Sequence, residues 1–208
     1  LKIAIFVFPR FTALDAVGPY EVLSRLPGAD LTFVGENPGS VRTDTGRLGL
    51  EVDATIADVD SADILLVPGG PGQNDLMSDG PVHTWLRHMD KKSTWTTSVC
   101  TGSLILAAAG LLEGRPATTH WSALDQLKKY GAIPTEERVV TDGKYVTAAG
   151  VSAGIDMALT LTAKVAGDDY AQRLQLAIEY DPQPPFNAGS PRTAPPEILA
   201  ALQSRFTS

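Results

Sequence analysis

"TTSVCTGSLILAAAGLL", residues 96–112, runs a β-branched segment into an almost wholly apolar helical one, with Cys100 and Gly102 at the junction. The first half reads as a buried strand, and "GSLILAAAGLL" is apolar enough to be a helix covered on all sides. A strand turning directly into a buried helix is the repeating unit of a parallel, doubly wound α/β sheet. Three further runs, "KIAIFVF" (2–8), "DLTFVG" (30–35) and "DILLVPGG" (63–70), are too short to span a membrane and too continuous for half-exposed strands.

The segments between them supply helices. "GPYEVLSRL" (18–26) places Pro19 where a first helical turn tolerates it, and "PVHTWLRHMDKK" (81–92) carries lysines in its last turn. "SALDQLKKYG" (122–131) opens on a Ser cap and closes on a Gly cap. "SAGIDMALTLTAKVAG" (152–167), "DDYAQRLQLAIEY" (168–180) and "PEILAALQSRF" (196–206) complete the set. "VRTDTGRLGLEVDA" (41–54) and "ERVVTDGKYVTAAG" (137–150) each set a Gly turn between β-rich runs, a hairpin signal. Residues 181–196 hold six prolines and should run extended over the surface. The expectation is a single domain over 1–208, a flavodoxin-like sandwich whose mostly parallel sheet carries helices on both faces.

Composition narrows the function. At 43% apolar and 20% charged residues the 208-residue chain is ordinary for a globular protein. A net charge of −7 argues against nucleic acid or an anionic membrane as partner. One cysteine excludes an internal disulfide framework and fits a reducing, cytoplasmic setting. "LKIAIFVFPRF" (1–11) reads as a strand rather than a signal peptide. Three scattered histidines with one cysteine give no metal-ligand spacing, so neither metal nor other cofactor is expected. No phosphate-cradling glycine motif occurs.

In open α/β sheets ligands bind beyond the carboxyl ends of the strands. Three such ends carry reactive or permissive groups: Cys100, the diglycine Gly69–Gly70, and Asp15 in "FTALDAVGPYEV" (11–22). Small residues Ser98 and Gly102 flank the thiol as in a nucleophile elbow, and a following helix start should lower its pKa. Each feature has a plainer reading: a buried inert Cys, a simple turn, a helix cap. His83 and His88 share a helix with Trp85 and Arg87 and read as surface residues, whereas His120 in "ATTHW" either reaches the site or makes a structural contact beside Trp121.

Together "ALDAVGPYEVL" (13–23), "ILLVPGGPG" (64–72), "TTSVCTGSLILAAAGLLEGRPATTHW" (96–121), "AAGVSAGIDMALTLTAKVAG" (148–167) and "LQLAIEYDPQPPFNAGSP" (174–191) resemble the ThiJ/PfpI superfamily. Within it the "CTG" elbow, the Leu14–Asp15 segment and the "PPFNAGSP" tail are most similar to the isocyanide hydratases. The resemblance implies a homodimer with sites near the subunit interface, Cys100 as nucleophile and Asp15 as acid–base partner. It implies a small isocyanide as substrate and an N-formamide as product. Thr101 stands where many relatives carry His, so peptidase activity is not expected. Thr101 would orient the Cys–Asp pair, N–H groups of Gly70 and Thr101 would favour an anion, and Pro19, Trp121 and Val151 would shape an apolar pocket. Two other readings share the thiol: a ligand-binding or cysteine-oxidation-sensing domain of the amidase-like regulator type, and a glyoxalase- or deglycase-like hydrolase.

Overall fold

A computed structural model describes residues 1–207, with side chains through Ser204. Its strands are β1 (Lys2–Phe6), β2 (Asp30–Gly35), β3 (Gly39–Arg42), β4 (Gly49–Val52), β5 (Ala54–Thr55), β6 (Ile64–Val67), β7 (Trp95–Val99), β8 (Pro116–Ala117), β9 (Ile133–Pro134), β10 (Val139–Asp142) and β11 (Tyr145–Ala148). The α-helices are α1 (Ala13–Leu23), α2 (Pro81–Lys92), α3 (Gly102–Ala108), α4 (Ala153–Ala166), α5 (Asp168–Ala177) and α6 (Pro196–Thr207).

Seven strands form one sheet in the order β10-β11-β7-β6-β1-β2-β5. Every pairing in it is parallel except the β10–β11 hairpin. This is the expected flavodoxin-like sandwich. The continuous apolar runs are what two covered faces demand: Ile64 to Val67 are all 0% exposed. Helices α1, α4 and α5 pack together in one group, and α2 packs with α3 in another. From β1 the chain moves first to β2 on one side and then, after β3–β5, to β6 on the other. That reversal opens a crevice beyond the carboxyl ends of β1 and β6, where this architecture places ligands.

Three local readings differ from expectation. Helix α1 starts at Ala13 and carries Pro19 in its interior rather than its first turn. Pro19 cannot donate to the Asp15 carbonyl, but Ala16, Val22 and Leu23 are fully buried on the same helix, and that packing outweighs the break. The segment 121–130 is a 3-10 helix whose N-terminal cap is His120, not Ser122: the His120 ring accepts the Ser122 N–H. Gly131 closes it in the left-handed region as expected. His83 is 1% exposed, with its Nε2 2.8 Å from the Leu76 carbonyl oxygen, because it falls on the buried stripe of α2 with Val82, Leu86 and Met89.

Candidate active site

Cys100 follows the last residue of β7 with φ 55°, a backbone conformation that non-glycine residues rarely hold. The turn is pinned from several sides. The Cys100 N–H is shared between the carbonyls of Ala148 (3.1 Å) and Ala149 (2.9 Å). Its own carbonyl accepts the hydroxyls of Thr119 (2.8 Å) and Ser103 (3.2 Å). Such over-determination is what allows a strained residue to persist. The flanking glycines are needed for close approach: a Cβ on Gly102 would lie 2.0 Å from the Val67 carbonyl oxygen, and one on Gly69 would lie 2.4 Å from the Thr101 nitrogen. The β6 and β7 ends are therefore pressed backbone to backbone.

Asp15, on the first turn of α1, is 0% exposed. Its Oδ2 accepts the Gly69 N–H at 2.9 Å, while Oδ1 meets no hydrogen-bond donor. The carboxyl lies in contact with the Cys100 thiol. Burial is the main reason its pKa is pushed up to about 7, with the Gly69 N–H and the thiol opposing and the Asp44 charge adding to the rise. Burial also pushes the Cys100 thiol up to about 12, and the Asp15 charge adds to that. The N–H groups of Val151 and Thr101 donate to the sulfur and pull the other way without prevailing. The expected lowering at a helix start is thus reversed: the thiol is 5% exposed beside a carboxylate, and α3 is only seven residues long. The two groups hold one exchangeable proton between them.

The remaining candidates converge to different degrees. The Gly69 N–H serves Asp15, and the Gly70 N–H donates to the Thr101 hydroxyl at 3.0 Å, so Thr101 ties the two strand ends together. Val151 reaches the site through its backbone, at φ 26°, by donating to sulfur. Pro19 lies against Gly154, whose added Cβ would stand 3.1 Å from the proline ring. The His120 ring abuts Gly150, the residue before Val151. His120 Nδ1 is 2.7 Å from the Ser122 hydroxyl, its ring centroid is 5.4 Å from that of half-buried Trp121, and burial lowers its pKa. His88 is exposed on α2 and His83 is buried there, away from the thiol. Among the described residues no three His, Cys, Asp or Glu side chains converge as a metal site. No described helix is long and apolar enough to cross a membrane. Sequence reading missed Thr119 and the Val151 N–H. The "TTH" polar run at 118–120 was the available signal for the first; nothing local marks the second.

A model of the DJ-1/PfpI family matches residues 1–164. The isonitrile hydratase of Pseudomonas putida is 44% identical over 205 residues, covering 99% of this chain and 90% of that protein. The HTH-type transcriptional regulator CdhR of Pseudomonas aeruginosa is 32% identical, covering 84% of this chain and 59% of the regulator. Among solved structures, a ThiJ/PfpI family protein from Pseudomonas syringae superposes with a TM-score of 0.96 at 41% identity, covering 99% of this chain and 86% of that one.

Proposed function

The chain belongs to the DJ-1/PfpI family, and from that premise we propose that it is an isocyanide hydratase, a hydro-lyase adding water to R–N≡C to give R–NH–CHO. The observation that carries the activity is the 44% identity, across 99% of the chain, to an isonitrile hydratase. Residue roles follow from the Cys100–Asp15 contact and the orphaned Oδ1 of Asp15.

In the resting pair the thiol holds the proton and Asp15 is the carboxylate. Asp15 takes that proton as sulfur attacks the terminal isocyanide carbon, then delivers it to the same carbon. The product is a thioimidate, R–N=CH–S–Cys100, with one S–C and one C–H bond formed. Asp15 next takes a proton from water as the hydroxide adds to that carbon, and passes it to nitrogen. Collapse of the resulting R–NH–CH(OH)–S adduct breaks the S–C bond, sends the hydroxyl proton through Asp15 to sulfur and releases the formamide. Atoms and charge balance, and no other co-reactant is consumed. Covalent catalysis splits one hard hydration into two easier steps. A carboxyl with pKa about 7 is well matched to giving and taking protons near neutral pH. Thr101 holds the β6 and β7 ends in register, and the Thr101 and Val151 N–H groups stabilise developing charge on sulfur. Pro19, Trp121, His120 and Val151 bound the substrate's side-chain space, with Gly69 and Gly70 flooring it.

We further read residues 1–208 as one domain, acting as a homodimer in the cytoplasm, where a lone thiol nucleophile stays reduced. A buried thiol with a raised pKa is a poor peroxide sensor, which weighs against a sensing role. Incubation with a small alkyl isocyanide in H2(18)O tests the activity. Mass spectrometry should find an N-formamide carrying one heavy oxygen, and an unconsumed isocyanide would overturn it.

A further inference from the structure

A second recess opens beyond the same carboxyl ends of the sheet as the Cys100 site. It is a cavity of about 380 Å³ bounded by the chain leaving three strands: Phe8 follows β1, Glu36 follows β2, and the 3-10 helix Pro71–Leu76 and the start of α2 follow β6. The reversal of chain direction at β1 puts it where this architecture receives ligands. Closed backbone walls it off from the catalytic pair. A Cβ on Gly72 would lie 1.9 Å from the Pro9 carbonyl oxygen, and one on Gly70 would lie 2.4 Å from the Thr12 nitrogen. None of Asp15, Gly70, Cys100 or Thr101 lines the cavity.

Its lining is rich in acceptors and poor in donors. Phe8, Leu76 and Val82 give apolar walls, Glu36, Asp75 and Asp79 are carboxylates, and neither lysine nor arginine takes part. From outside the cavity Arg10 pairs with Asp75 (2.8 Å) and Arg87 with Asp79 (2.9 Å). Glu36 has no such partner among the described residues. The deciding group is His83, 1% exposed on the first turn of α2. Its Nε2 lies 2.8 Å from the Leu76 carbonyl oxygen, which can only accept, so Nε2 carries the ring hydrogen. Nδ1 is then an acceptor, and among the described residues it meets no donor. What faces it, 3.6 Å away, is a second acceptor, Asp79 Oδ1. The Arg87 guanidinium holds the Asp79 carboxyl below the usual carboxylate range, so that oxygen is charged.

Two acceptors opposed across 3.6 Å with no hydrogen between them repel, and a buried one left unpaired is costly. A cation bearing N–H groups removes both penalties, because an ammonium nitrogen about 2.9 Å from each atom bridges them. The Asp79 side chain is 72% exposed, so it can swing aside as a ligand enters. A neutral alcohol brings one hydrogen and no charge, and an anion meets three carboxylates. A metal ion is served worse: Asp79 Oδ1 already holds Arg87, and no three ligating side chains converge among the described residues. The volume falls at the lower end of the range for ligand cavities, which fits a small molecule. We propose that this cavity binds a small primary alkylammonium ion, its nitrogen bridging His83 Nδ1 and Asp79 beside the Glu36 charge, its alkyl chain against Phe8, Leu76 and Val82.

The probe is n-butylammonium, titrated into the full chain at pH 8 and followed through the ring-nitrogen resonances of the three histidines. His83 Nδ1 should begin as an unprotonated acceptor and shift on binding, while His88 and His120 stay still. n-Butanol, alike in shape but uncharged, should bind at least about tenfold more weakly. Glu36→Gln and His83→Gln should each weaken butylammonium by a similar factor, the scale of losing one charge-assisted hydrogen bond. The Gln side chain can keep the bond to the Leu76 carbonyl while removing the Nδ1 acceptor. Glu36 is exposed, so its variant tests the site even where His83→Gln misfolds. Asp15→Asn should bind the amine unchanged. The assignment is overturned by absence of saturable binding, by butanol binding as tightly, by indifferent Glu36 and His83 variants, or by a His83 ring already protonated on both nitrogens. A response at His120 that Asp15→Asn abolishes would place the amine in the catalytic site and overturn it too. None of these outcomes bears on the hydratase reading, which isocyanide turnover tests separately.

Discussion

Two aspartates are buried among the described residues, and their surroundings are opposite. Asp90, at the end of α2, lies where β7 and β11 begin. It accepts the hydroxyls of Thr96 (2.6 Å) and Tyr145 (3.1 Å), and Lys144 Nζ stands 3.0 Å away. The Arg115 guanidinium lies 4.4 Å over the Tyr145 ring, extending the charged cluster. Asp15, at the other end of the sheet, has one N–H and an orphaned oxygen. A buried carboxylate whose lone pairs are filled contributes structure. One left partly unfilled is costly to ionise, and that cost is what brings its pKa to about 7 and makes it exchange protons.

The comparison can be broken most sharply at its active end. Cys100→Ala should lower kcat/KM for isocyanide hydration by at least about 10⁴-fold, the scale for losing a covalent nucleophile. Circular dichroism should show the fold intact, since Ala fits the elbow. A folded mutant with wild-type rates ends the covalent scheme.

Next in size is Asp15→Asn, which keeps the shape and loses the proton carrier. Turnover should fall by at least about 10²-fold. Asp90→Asn, measured in the same assay, should retain most activity. If the two aspartate variants lose activity equally, the distinction drawn between the two sites is wrong.

Stability should reverse that ranking. Asp90→Ala leaves the Thr96 and Tyr145 hydroxyls and Lys144 without their acceptor, so urea unfolding should show a loss of about 2 kcal/mol. Asp15→Asn should instead gain stability relative to the native chain as pH rises. The folded-state pKa of Asp15 is raised above its unfolded value near 3.8, so its favourable contribution is complete below that pH and lost as pH climbs through about 7. Denaturation midpoints at pH 5 and pH 8 measure the crossover, and a parallel shift in both proteins would refute it.

The smallest expected effect is on the rate profile of the native enzyme. Catalysis needs the carboxylate, so kcat/KM should rise about tenfold between pH 6 and pH 8 and then level, because the thiol itself titrates far higher, near 12. A flat profile would mean that Asp15 does not carry the proton.

Much of this site was legible in the chain itself. The strand ends holding Asp15, Gly69–Gly70 and Cys100 could be found because apolar runs, glycines and a lone thiol are local signals. The sandwich followed from the same runs, since two-sided burial leaves an uninterrupted apolar strand. Local signals failed where a neighbour from a distant segment decided the outcome. Pro19 sits inside a helix because α1 packs on α4, and His83 is buried because its stripe of α2 faces the sheet.

What the sequence determined by itself, then, is the alternation of strands and helices and the three chemical groups at their junctions, each written within a dozen residues. Tertiary structure alone decided the direction of the thiol's pKa, the orphaned oxygen on Asp15 and the Val151 N–H on sulfur. The reason is physical: burial and the field of a facing charge depend on which residues meet across β1, β6, β7 and the start of α4, and those partners are separated by 31 to 85 positions along the chain (Gly70 to Thr101, Asp15 to Cys100).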